Sequence, residues 1–295
     1  MPDIEIVPLS DAIGAEIRGV DLSNPLSEDV RKAVERAWYD NVILLFRDQN
    51  LSHEEQTAFG AQFGDVAVRG GDTATSTEKS VGESVMLVSN IRENGKPIGT
   101  LPDGEMMFHS DTPYTEEPRK STILYAIEVP SHGGETLFSN SYKVAEALPE
   151  DVKRRLEGRR ALHIYDYGAT FVPDGSYDRS NNPHFWHPVF RKHPETGRTS
   201  LFVSELMTVE IEGLPANESR ELLETLFEFQ RRPEFVYAHP WRPGDILMWD
   251  NRCSVHARND FPSDEHRLLR RITLADEHPV MMGAPPYRER AAASG

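Results

Sequence analysis

The sequence predicts a mainly β protein with packed helices, built as a closed or double-sheet architecture of the jelly-roll or cupin type. Short apolar runs bounded by turn residues recur along the chain, which is typical of β sandwiches and barrels. Side chains of the metal-ligand type also lie on predicted strands that are far apart in sequence, and such a fold brings distant strands together. The chain has 295 residues without a composition break or linker, and β architectures of this size often form one domain. We therefore expect one domain over residues 1–283 and a disordered tail over residues 284–295.

Strands and helices alternate in the first part of the chain. Residues 4–20 contain short alternating apolar stretches, which predict one or two strands near a sheet edge. Residues 42–46 are all apolar and predict a buried strand. Ser27 is followed by two acidic residues, and Ser52 with Glu55 forms a capping box, so each serine marks the start of a helix.

Two loops are predicted from composition. Residues 69–84 are rich in Gly, Thr, Ser and Asp, and residues 171–182 are polar and irregular. Residues 69–84 are either a plain surface loop or a lid over an active site. The second alternative is considered because a long loop in a compact domain is often functional.

The remaining apolar runs supply the other strands and helices. Strands are predicted at residues 85–91, 123–127, 136–138, 162–167, 187–191, 200–203, 235–239, 245–249 and 267–274. Helices are predicted at residues 141–148, 151–156 and 217–230, the last with Asn217 as its N-cap. The strands at 187–191 and 200–203 are expected to form a hairpin.

The composition excludes several classes of partner. The formal net charge is −16, which argues against nucleic acid and anionic membranes because both attract basic surfaces. No apolar run approaches the roughly 20 residues that span a bilayer. The N-terminal residues lack the basic and apolar regions of a secretory signal, and the single Cys253 agrees with a reducing compartment. We therefore expect a cytoplasmic protein that binds a small molecule.

Two segments carry candidate metal ligands. Phe108-His109-Ser110-Asp111 places an imidazole and a carboxylate two positions apart in a segment predicted to be extended, where alternate residues share a face. His256 follows the apolar strand at residues 245–249. Two histidines and one carboxylate on one face of a metal are the ligand set of non-haem Fe(II) oxygenases. His109, Asp111 and His256 are therefore the candidate iron ligands.

A threonine and an arginine are candidates for binding a carboxylate. Thr136 follows a Gly-Gly turn, and Arg267 lies eleven positions beyond His256 at the start of a predicted strand. A guanidinium grips a carboxylate bidentately and a hydroxyl adds a further hydrogen bond, so this pair would hold the far end of a dicarboxylate co-substrate. Arg271 lies on the same face of that strand, whereas Arg270 points the opposite way and is predicted to be solvated.

With these residues in order, the chain resembles the taurine dioxygenase and chlorophenoxyacetate dioxygenase family, the TauD/TfdA enzymes that depend on Fe(II) and 2-oxoglutarate. The resemblance rests on residues 108–111, on Val129-Pro130-Ser131-His132-Gly133-Gly134-Glu135-Thr136 and on Gly244-Asp245-Ile246-Leu247-Met248-Trp249-Asp250-Asn251-Arg252, with His256, Arg267 and Arg271 behind them. It extends from about Ile4 to about Glu277, nearly the whole chain. It implies a distorted double-stranded β-helix with helices packed on one side.

The resemblance also implies a reaction. His109, Asp111 and His256 would bind Fe(II), and Thr136 with Arg267 would hold the 5-carboxylate of 2-oxoglutarate. Oxidative decarboxylation with O2 would release succinate and CO2 and hydroxylate a C–H bond of a small substrate such as a carboxylate or sulfonate. Because relatives often form oligomers, a homo-oligomer is among the expected states.

Candidate substrate contacts are Arg69, Glu105 and Phe108, whereas Arg271 is a candidate for binding the co-substrate. The resemblance implies that Arg271 binds an anionic group of the co-substrate or substrate. Arg69 lies six residues past Phe63, near the position where the family's taurine enzyme has a substrate-contacting histidine, although a solvated loop arginine is the simpler alternative. Glu105 stands where that enzyme has an Asn-rich segment, so taurine itself is not the expected substrate. Phe108 is consistent with a more apolar pocket or with ordinary packing.

Two alternatives remain open on sequence alone. The same three ligands could hold zinc in a hydrolase or lyase, but such an enzyme would give Thr136 and Arg267 no role. A non-catalytic metal-binding barrel of the cupin type would not bind 2-oxoglutarate. Succinate release coupled to turnover distinguishes the oxygenase from both. Ser254 lacks the elbow glycines of a hydrolase nucleophile, and the remaining histidines have no matching partners.

Overall fold

Short β-strands dominate the structure, a computed structural model that describes residues 4–68, 82–101, 104–165 and 179–287. The strands are β1 (Glu5–Pro8), β2 (Ala15–Arg18), β3 (Ile43–Phe46), β4 (Met86–Ser89), β5 (Arg92–Glu93), β6 (Lys96–Pro97), β7 (Met106–His109), β8 (Ser121–Glu128), β9 (Thr136–Asn140), β10 (Arg160–Ile164), β11 (His184–Pro188), β12 (Phe190–Lys192), β13 (Thr199–Leu201), β14 (Thr208–Ile211), β15 (Val236–His239), β16 (Ile246–Asp250), β17 (Ser254–Arg258), β18 (Leu268–Leu274) and β19 (Met281–Met282). The α-helices are α1 (Glu28–Asn41), α2 (His53–Gly60), α3 (Ser141–Ala147), α4 (Glu150–Leu156) and α5 (Ala216–Gln230), and a short 3-10 helix covers Pro233–Phe235.

Two sheets form the body of the fold. The larger has seven strands in the order β1-β2-β3-β16-β8-β18-β4, and the smaller has four in the order β15-β9-β17-β7. Neighbours in both sheets run antiparallel except β2 and β3, which are parallel. Over the described residues neither sheet closes on itself, so the chain adopts the double-sheet form of the predicted architecture. The predicted mainly β fold with packed helices is confirmed.

The larger sheet buries both of its faces. Successive residues of a strand point to opposite sides, so each strand contributes to two cores. The outer core, under α1 and α2, includes Trp38, Phe59, Leu44, Phe46, Met248 and Ile272. The inner core, shared with the smaller sheet, includes Leu45, Leu124, Leu247, Trp249 and Phe138. The space between the two sheets is where the candidate site residues meet.

Arg270 is buried, and the prediction that it is solvated is wrong. Its side chain points to the outer face of the larger sheet, as the alternation requires, but α2 covers that face. The guanidinium donates to Gln56 Oε1 at 2.7 Å, to Leu51 O at 2.7 Å and to Ser52 O at 2.9 Å. Arg270 therefore attaches the start of α2 to β18.

The helix starts are mostly as predicted. Ser27 accepts a hydrogen bond from the Val30 amide, and the Ser52 and Glu55 capping box is present. The prediction for Asn217 is wrong, because α5 begins at Ala216 after Pro215 and has no side-chain cap.

The strand prediction is wrong in two respects. The predicted strand at 187–191 is divided between β11, which pairs with β10, and β12, which pairs with β13 as the expected hairpin. The prediction also misses β14 and β17, because their sequences mix apolar and polar residues over only a few positions, and it misses the two-residue strands β5, β6 and β19. The omission of β17 matters, since this strand carries His256.

Several predictions fall on residues outside the described ranges. Most of the predicted lid at 69–84 lies at residues 69–81, and most of the predicted loop at 171–182 lies at residues 171–178. Of the predicted tail, residues 284–287 are described, and the Lys153 ammonium donates to Pro286 O at 2.7 Å. Among the described helices, none has both the length and the apolar character needed to cross a membrane.

Candidate active site

His109 and His256 face each other across two neighbouring strands. They are directly paired between β7 and β17, and their ring centroids lie 4.1 Å apart. Directly opposed residues of an antiparallel pair point to the same face, here the face toward the larger sheet. Asp111 follows two residues later, and the ligand atoms of the three side chains all lie within 4.8 Å of one another. The structure therefore brings the three predicted ligands together.

Asp111 reaches this cluster from a bend rather than from a strand. β7 ends at His109, so the expectation that both residues lie on one strand holds only for the histidine. The pairing of β7 with β17 also shifts register between His256 and Arg258, which pairs with Met106. This bulge lets Met106 and His109 line the same cavity although they are an odd number of residues apart.

Both imidazoles are neutral with a lone pair available to a metal. His109 Nδ1 lies 2.9 Å from Met107 O, and because a carbonyl only accepts, Nδ1 carries the hydrogen and Nε2 the lone pair. His256 Nδ1 has no hydrogen-bond partner among the described residues. Burial lowers the pKa of both histidines below the ordinary value, and the neighbouring ring lowers the pKa of His256 further. Neutral imidazole is the form that binds metal ions.

Asp111 is ionised and firmly oriented. Thr122 Oγ1 donates to Asp111 Oδ2, and Arg271 Nη2 lies 2.6 Å from Asp111 Oδ1. Burial alone would raise the pKa of Asp111, but the Arg271 guanidinium, together with the hydrogen bond from Thr122, outweighs it and holds the pKa well below its usual range. Thr122 is held in turn by Asn251 Nδ2 at 3.1 Å. Supporting contacts of this kind fix the orientation of metal-binding carboxylates.

A cavity of about 380 Å³ extends from the three ligands between the two sheets, within the size range of small-molecule sites. Its walls include apolar side chains such as Met86, Val88 and Leu124 from the larger sheet. Its polar lining includes Thr136, Arg258 and Arg267 as well as Arg119 and Arg271. An apolar cavity with several arginines suits a small organic anion.

Arg267 is a buried cation without a counter-ion in the described part of the chain. Only 2% of its surface is exposed, and its Nε and Nη1 atoms find no acceptor there. Burial lowers its pKa to about 9, and the nearby Arg258 contributes to the shift. An unpaired buried guanidinium is costly, so an anion that binds here is strongly favoured. Arg267 therefore fits the carboxylate of a dicarboxylate ligand.

Sequence reasoning missed Arg258. It lies two residues after His256 on β17, directly opposite Thr136 on β9, and it lines the cavity. Its Nη2 donates to Gly104 O. Residues i and i+2 of a strand share a face, so the spacing of Arg258 from His256 could have identified it. This argument could not be applied because β17 was not predicted.

The predicted substrate contacts do not lie together in the cavity. Phe108 packs with Val255 and Ala257 in a small apolar cluster and does not line the cavity, and Glu105 is exposed outside it. Arg69 lies outside the described residues. Arg271 lines the cavity but contacts Asp111. Among these candidates in the described ranges, Arg271 has the position for contact with a ligand.

A second group of potential ligands lies away from the cavity. Ligand atoms of His193, Asp250 and Cys253 are also within 4.8 Å of one another, and all three residues are buried. The Asp250 carboxylate accepts hydrogen bonds from Arg252 Nε at 2.9 Å and Nη2 at 2.7 Å, and from His193 Nε2 at 3.0 Å. This group is an ion-paired core cluster.

Comparison with known proteins decides the family. The model of the "Taurine catabolism dioxygenase TauD, TfdA family" matches residues 5–273. The chain belongs to the TauD/TfdA family. It is therefore a 2-oxoglutarate-dependent non-haem iron dioxygenase, as the sequence resemblance implies.

Individual TauD/TfdA relatives match along nearly their whole length. Pentalenolactone F synthase of Streptomyces arenae is 32% identical over 98% of this chain and 100% of that protein. The alpha-ketoglutarate-dependent 2,4-dichlorophenoxyacetate dioxygenase of Cupriavidus pinatubonensis (strain JMP 134 / LMG 1197) is 32% identical over 92% of this chain and 97% of that protein. The crystal structure of AAD-2 in complex with Mn(II) and N-oxalylglycine is similar with a TM-score of 0.79 and 28% identity, covering 95% of this chain and 99% of that chain.

Membership of the TauD/TfdA family implies iron, 2-oxoglutarate and O2. The residues present fit both bound groups. Two neutral imidazoles and one ionised carboxylate suit Fe(II), and the unpartnered nitrogens of Arg267 suit a carboxylate.

Proposed function

We propose that this TauD/TfdA dioxygenase binds Fe(II) through His109, Asp111 and His256 and hydroxylates a C–H bond of a small organic carboxylate or sulfonate. The observation that carries the proposal is the convergence of these three side chains, with available lone pairs, at one end of a cavity that also contains the buried Arg267. When bound, iron with 2-oxoglutarate and O2 supplies the oxidation of the substrate, and succinate and CO2 are released.

Arg267 and Thr136 bind the 5-carboxylate of 2-oxoglutarate in this proposal. The guanidinium supplies charge-assisted donors, and the threonine hydroxyl supplies one further donor. Both residues are almost completely buried, so water competes little for the bound carboxylate. The co-substrate therefore has a fixed orientation relative to the three metal ligands.

Arg271 has two tasks in the proposal. Its Nη2 pairs with Asp111 and keeps that carboxylate ionised and oriented. Its Nη1 lies 3.6 Å from Met86 Sδ, a weak acceptor, so this nitrogen is suited to an anionic group of the co-substrate or substrate. The substrate itself is held against apolar side chains such as Val88 and Leu124.

An anionic substrate with an apolar body fits this lining best. The Cupriavidus relative acts, by its name, on 2,4-dichlorophenoxyacetate, which combines an aromatic ring with a carboxylate. The apolar wall and the arginines of the cavity support the same combination here. Our proposal also includes a single domain over residues 1–283, supported by the family match to 5–273, and a cytoplasmic location, which agrees with the single cysteine. A homo-oligomer remains a prediction.

An anaerobic titration tests the co-substrate assignment. Fe(II) protein is titrated with 2-oxoglutarate while the weak visible charge-transfer band of the chelate is recorded. We expect a band in the wild type and a dissociation constant raised about tenfold to a hundredfold in Arg267→Gln, because charge-assisted hydrogen bonds are lost. Arg36→Gln is the matched control, because the Arg36 side chain is 86% exposed.

Two results would contradict the proposal. Unchanged affinity in Arg267→Gln would overturn the role of the arginine. Absence of the band in iron-loaded wild-type protein would overturn 2-oxoglutarate binding and make a zinc hydrolase or a non-catalytic metal-binding barrel the better account.

A further inference from the structure

Thr136 has a hydrogen-bond donor on its protein side. Trp241 Nε1 lies 2.9 Å from Thr136 Oγ1. An indole N–H only donates, so the threonine oxygen must accept this hydrogen bond. The hydroxyl hydrogen of Thr136 is then available to a different acceptor, and none is found among the described residues. Thr136 is 4% exposed and lines the cavity, so a ligand there is the acceptor that remains.

Trp241 is itself held in place by a connected set of contacts. It follows His239, which pairs directly with Thr136 between β15 and β9, and the His239 and Trp241 rings meet edge to face at 4.7 Å. His239 Nε2 lies 3.0 Å from Asp245 Oδ2. Arg47 Nη1 donates to both oxygens of Asp245 at 2.9 and 3.0 Å. The indole N–H is therefore fixed in direction before any ligand binds.

We infer that Trp241 is a positioning residue for the co-substrate. By occupying an acceptor site of Thr136 Oγ1, it fixes the hydroxyl as a donor toward the carboxylate that Arg267 also binds. The inference rests on the proposed function, since it needs a carboxylate at this end of the cavity. An ionised carboxylate only accepts hydrogen bonds. By making the Thr136 hydroxyl a donor, Trp241 therefore favours binding of the 2-oxoglutarate carboxylate at this end of the cavity.

Binding of N-oxalylglycine and of 2-oxoglutarate tests the inference. N-oxalylglycine is titrated calorimetrically into Mn(II) protein, and 2-oxoglutarate into anaerobic Fe(II) protein with the visible band as readout. We expect Trp241→Phe to raise both dissociation constants about threefold to tenfold, the effect of one neutral hydrogen bond. We expect KM for 2-oxoglutarate to rise by more than the maximal rate falls, because Trp241 does not line the cavity and acts only through Thr136. Trp186→Phe, a half-buried tryptophan that does not line the cavity, is the matched control.

A double-mutant cycle separates positioning from general stability. Thr136→Val removes the hydroxyl, so adding Trp241→Phe in that background should weaken binding no further. Thr136→Ser keeps the hydroxyl, so Trp241→Phe should again cost about threefold to tenfold. Trp241→Tyr, which also lacks the indole N–H, replaces the Phe variant if that variant does not fold.

The possible outcomes distinguish this inference from the function on which it rests. If Thr136→Val weakens binding but Trp241→Phe does not, the role of Trp241 is overturned and the co-substrate site stands. Additive effects of the two substitutions also overturn the role, since they indicate independent structural contributions. If neither Thr136→Val nor Arg267→Gln changes binding, the proposed co-substrate site itself fails.

Discussion

The cluster of His109, Asp111 and His256 and the cluster of His193, Asp250 and Cys253 look alike in composition and compactness. Within the described residues, each brings three potential metal ligands within 4.8 Å, and each is buried. They differ in what surrounds the ligand atoms. The first cluster opens onto the cavity, whereas the second is enclosed by Arg252 and other core side chains.

The lone pairs of the second cluster are already used. His193 Nδ1 accepts from the Thr196 amide at 3.2 Å, so its Nε2 carries the hydrogen that Asp250 accepts. Burial, reinforced by Asp250, raises the pKa of the Cys253 thiol well above its usual value, and a metal needs the thiolate. The nearby guanidinium of Arg252 would also repel a cation.

The lone pairs of the first cluster are preserved. His109 uses only Nδ1 for a backbone carbonyl, and His256 Nδ1 has no hydrogen-bond partner among the described residues. Asp111 has one arginine, but this arginine stands beside an open cavity rather than enclosing the carboxylate. Three metal-binding residue types close together are therefore not enough to identify a metal site. The ligand atoms must also have free lone pairs that face an open cavity.

The largest expected effect follows from removing the metal ligands. We expect His109→Ala, Asp111→Ala and His256→Ala each to lower Fe(II) affinity by at least about a hundredfold, since even supporting contacts of a metal site can account for that much. Turnover that depends on iron should be lost in all three variants. Metal content after dialysis and succinate release measure the two effects.

Cys253→Ala and His193→Gln are the matched variants in the second cluster. Both should keep one iron per folded chain and the wild-type affinity. Full activity in a ligand variant, or loss of iron in Cys253→Ala with folding intact, would reverse the distinction between the clusters.

A large loss of stability is expected from the second cluster. Asp250→Ala leaves Arg252 and His193 without their shared buried carboxylate, and breaking a buried ion pair typically costs about 3–5 kcal/mol. The free energy of unfolding in urea, measured without metal, should fall by this amount. A fall below about 1 kcal/mol would mean that Glu195, which lies 2.9 Å from Arg252 Nη1, compensates for the loss.

A smaller effect is expected at Thr122. Thr122→Val removes the hydroxyl that donates to Asp111 Oδ2 but keeps the shape of the side chain, and we expect Fe(II) affinity to fall about tenfold. Thr122→Ser keeps the donor and should bind iron nearly as the wild type does. Equal affinities in the Val and Ser variants would show that Arg271 alone orients Asp111.

Much of this site follows from local sequence patterns. The His109 and Asp111 spacing, the later His256 and the position of Arg267 provide the candidate side chains, and their order along the chain, which resembles that of the TauD/TfdA family, implies that they meet. Thr122, Asn251 and Trp241 could not be predicted in the same way. Their roles depend on cross-strand neighbours, such as the pairing of His239 with Thr136. The register between strands that are distant in sequence cannot be predicted from any single segment.

The fold shows the same limit. Apolar runs predicted the buried strands, and side-chain caps predicted α1 and α2. The burial of Arg270 was missed because an arginine on a strand looks solvated until the helix that covers it is known. β17 was missed because its few residues mix apolar and charged side chains.

The smallest expected effect is a loss of unfolding free energy at acidic pH. Burial would raise the pKa of Asp250, but Arg252 and His193 outweigh burial. The pKa of Asp250 in the folded chain therefore lies well below the ordinary value of 3.8. A carboxyl whose pKa is lower in the folded than in the unfolded chain stabilises the fold above the unfolded value, and this stability is lost as the pH falls through the folded value. In the metal-free wild type, the free energy of unfolding should therefore decrease below about pH 4, where Asp250 contributes about 1 kcal/mol per pH unit. Asp250→Asn removes this contribution, so its unfolding free energy should depend less steeply on pH between 4 and 2.5, while Asp111, with a pKa shifted in the same direction, maintains a residual slope. Urea unfolding at several pH values measures both slopes, and identical slopes would mean that Asp250 gives up its proton equally readily in the folded and unfolded chains.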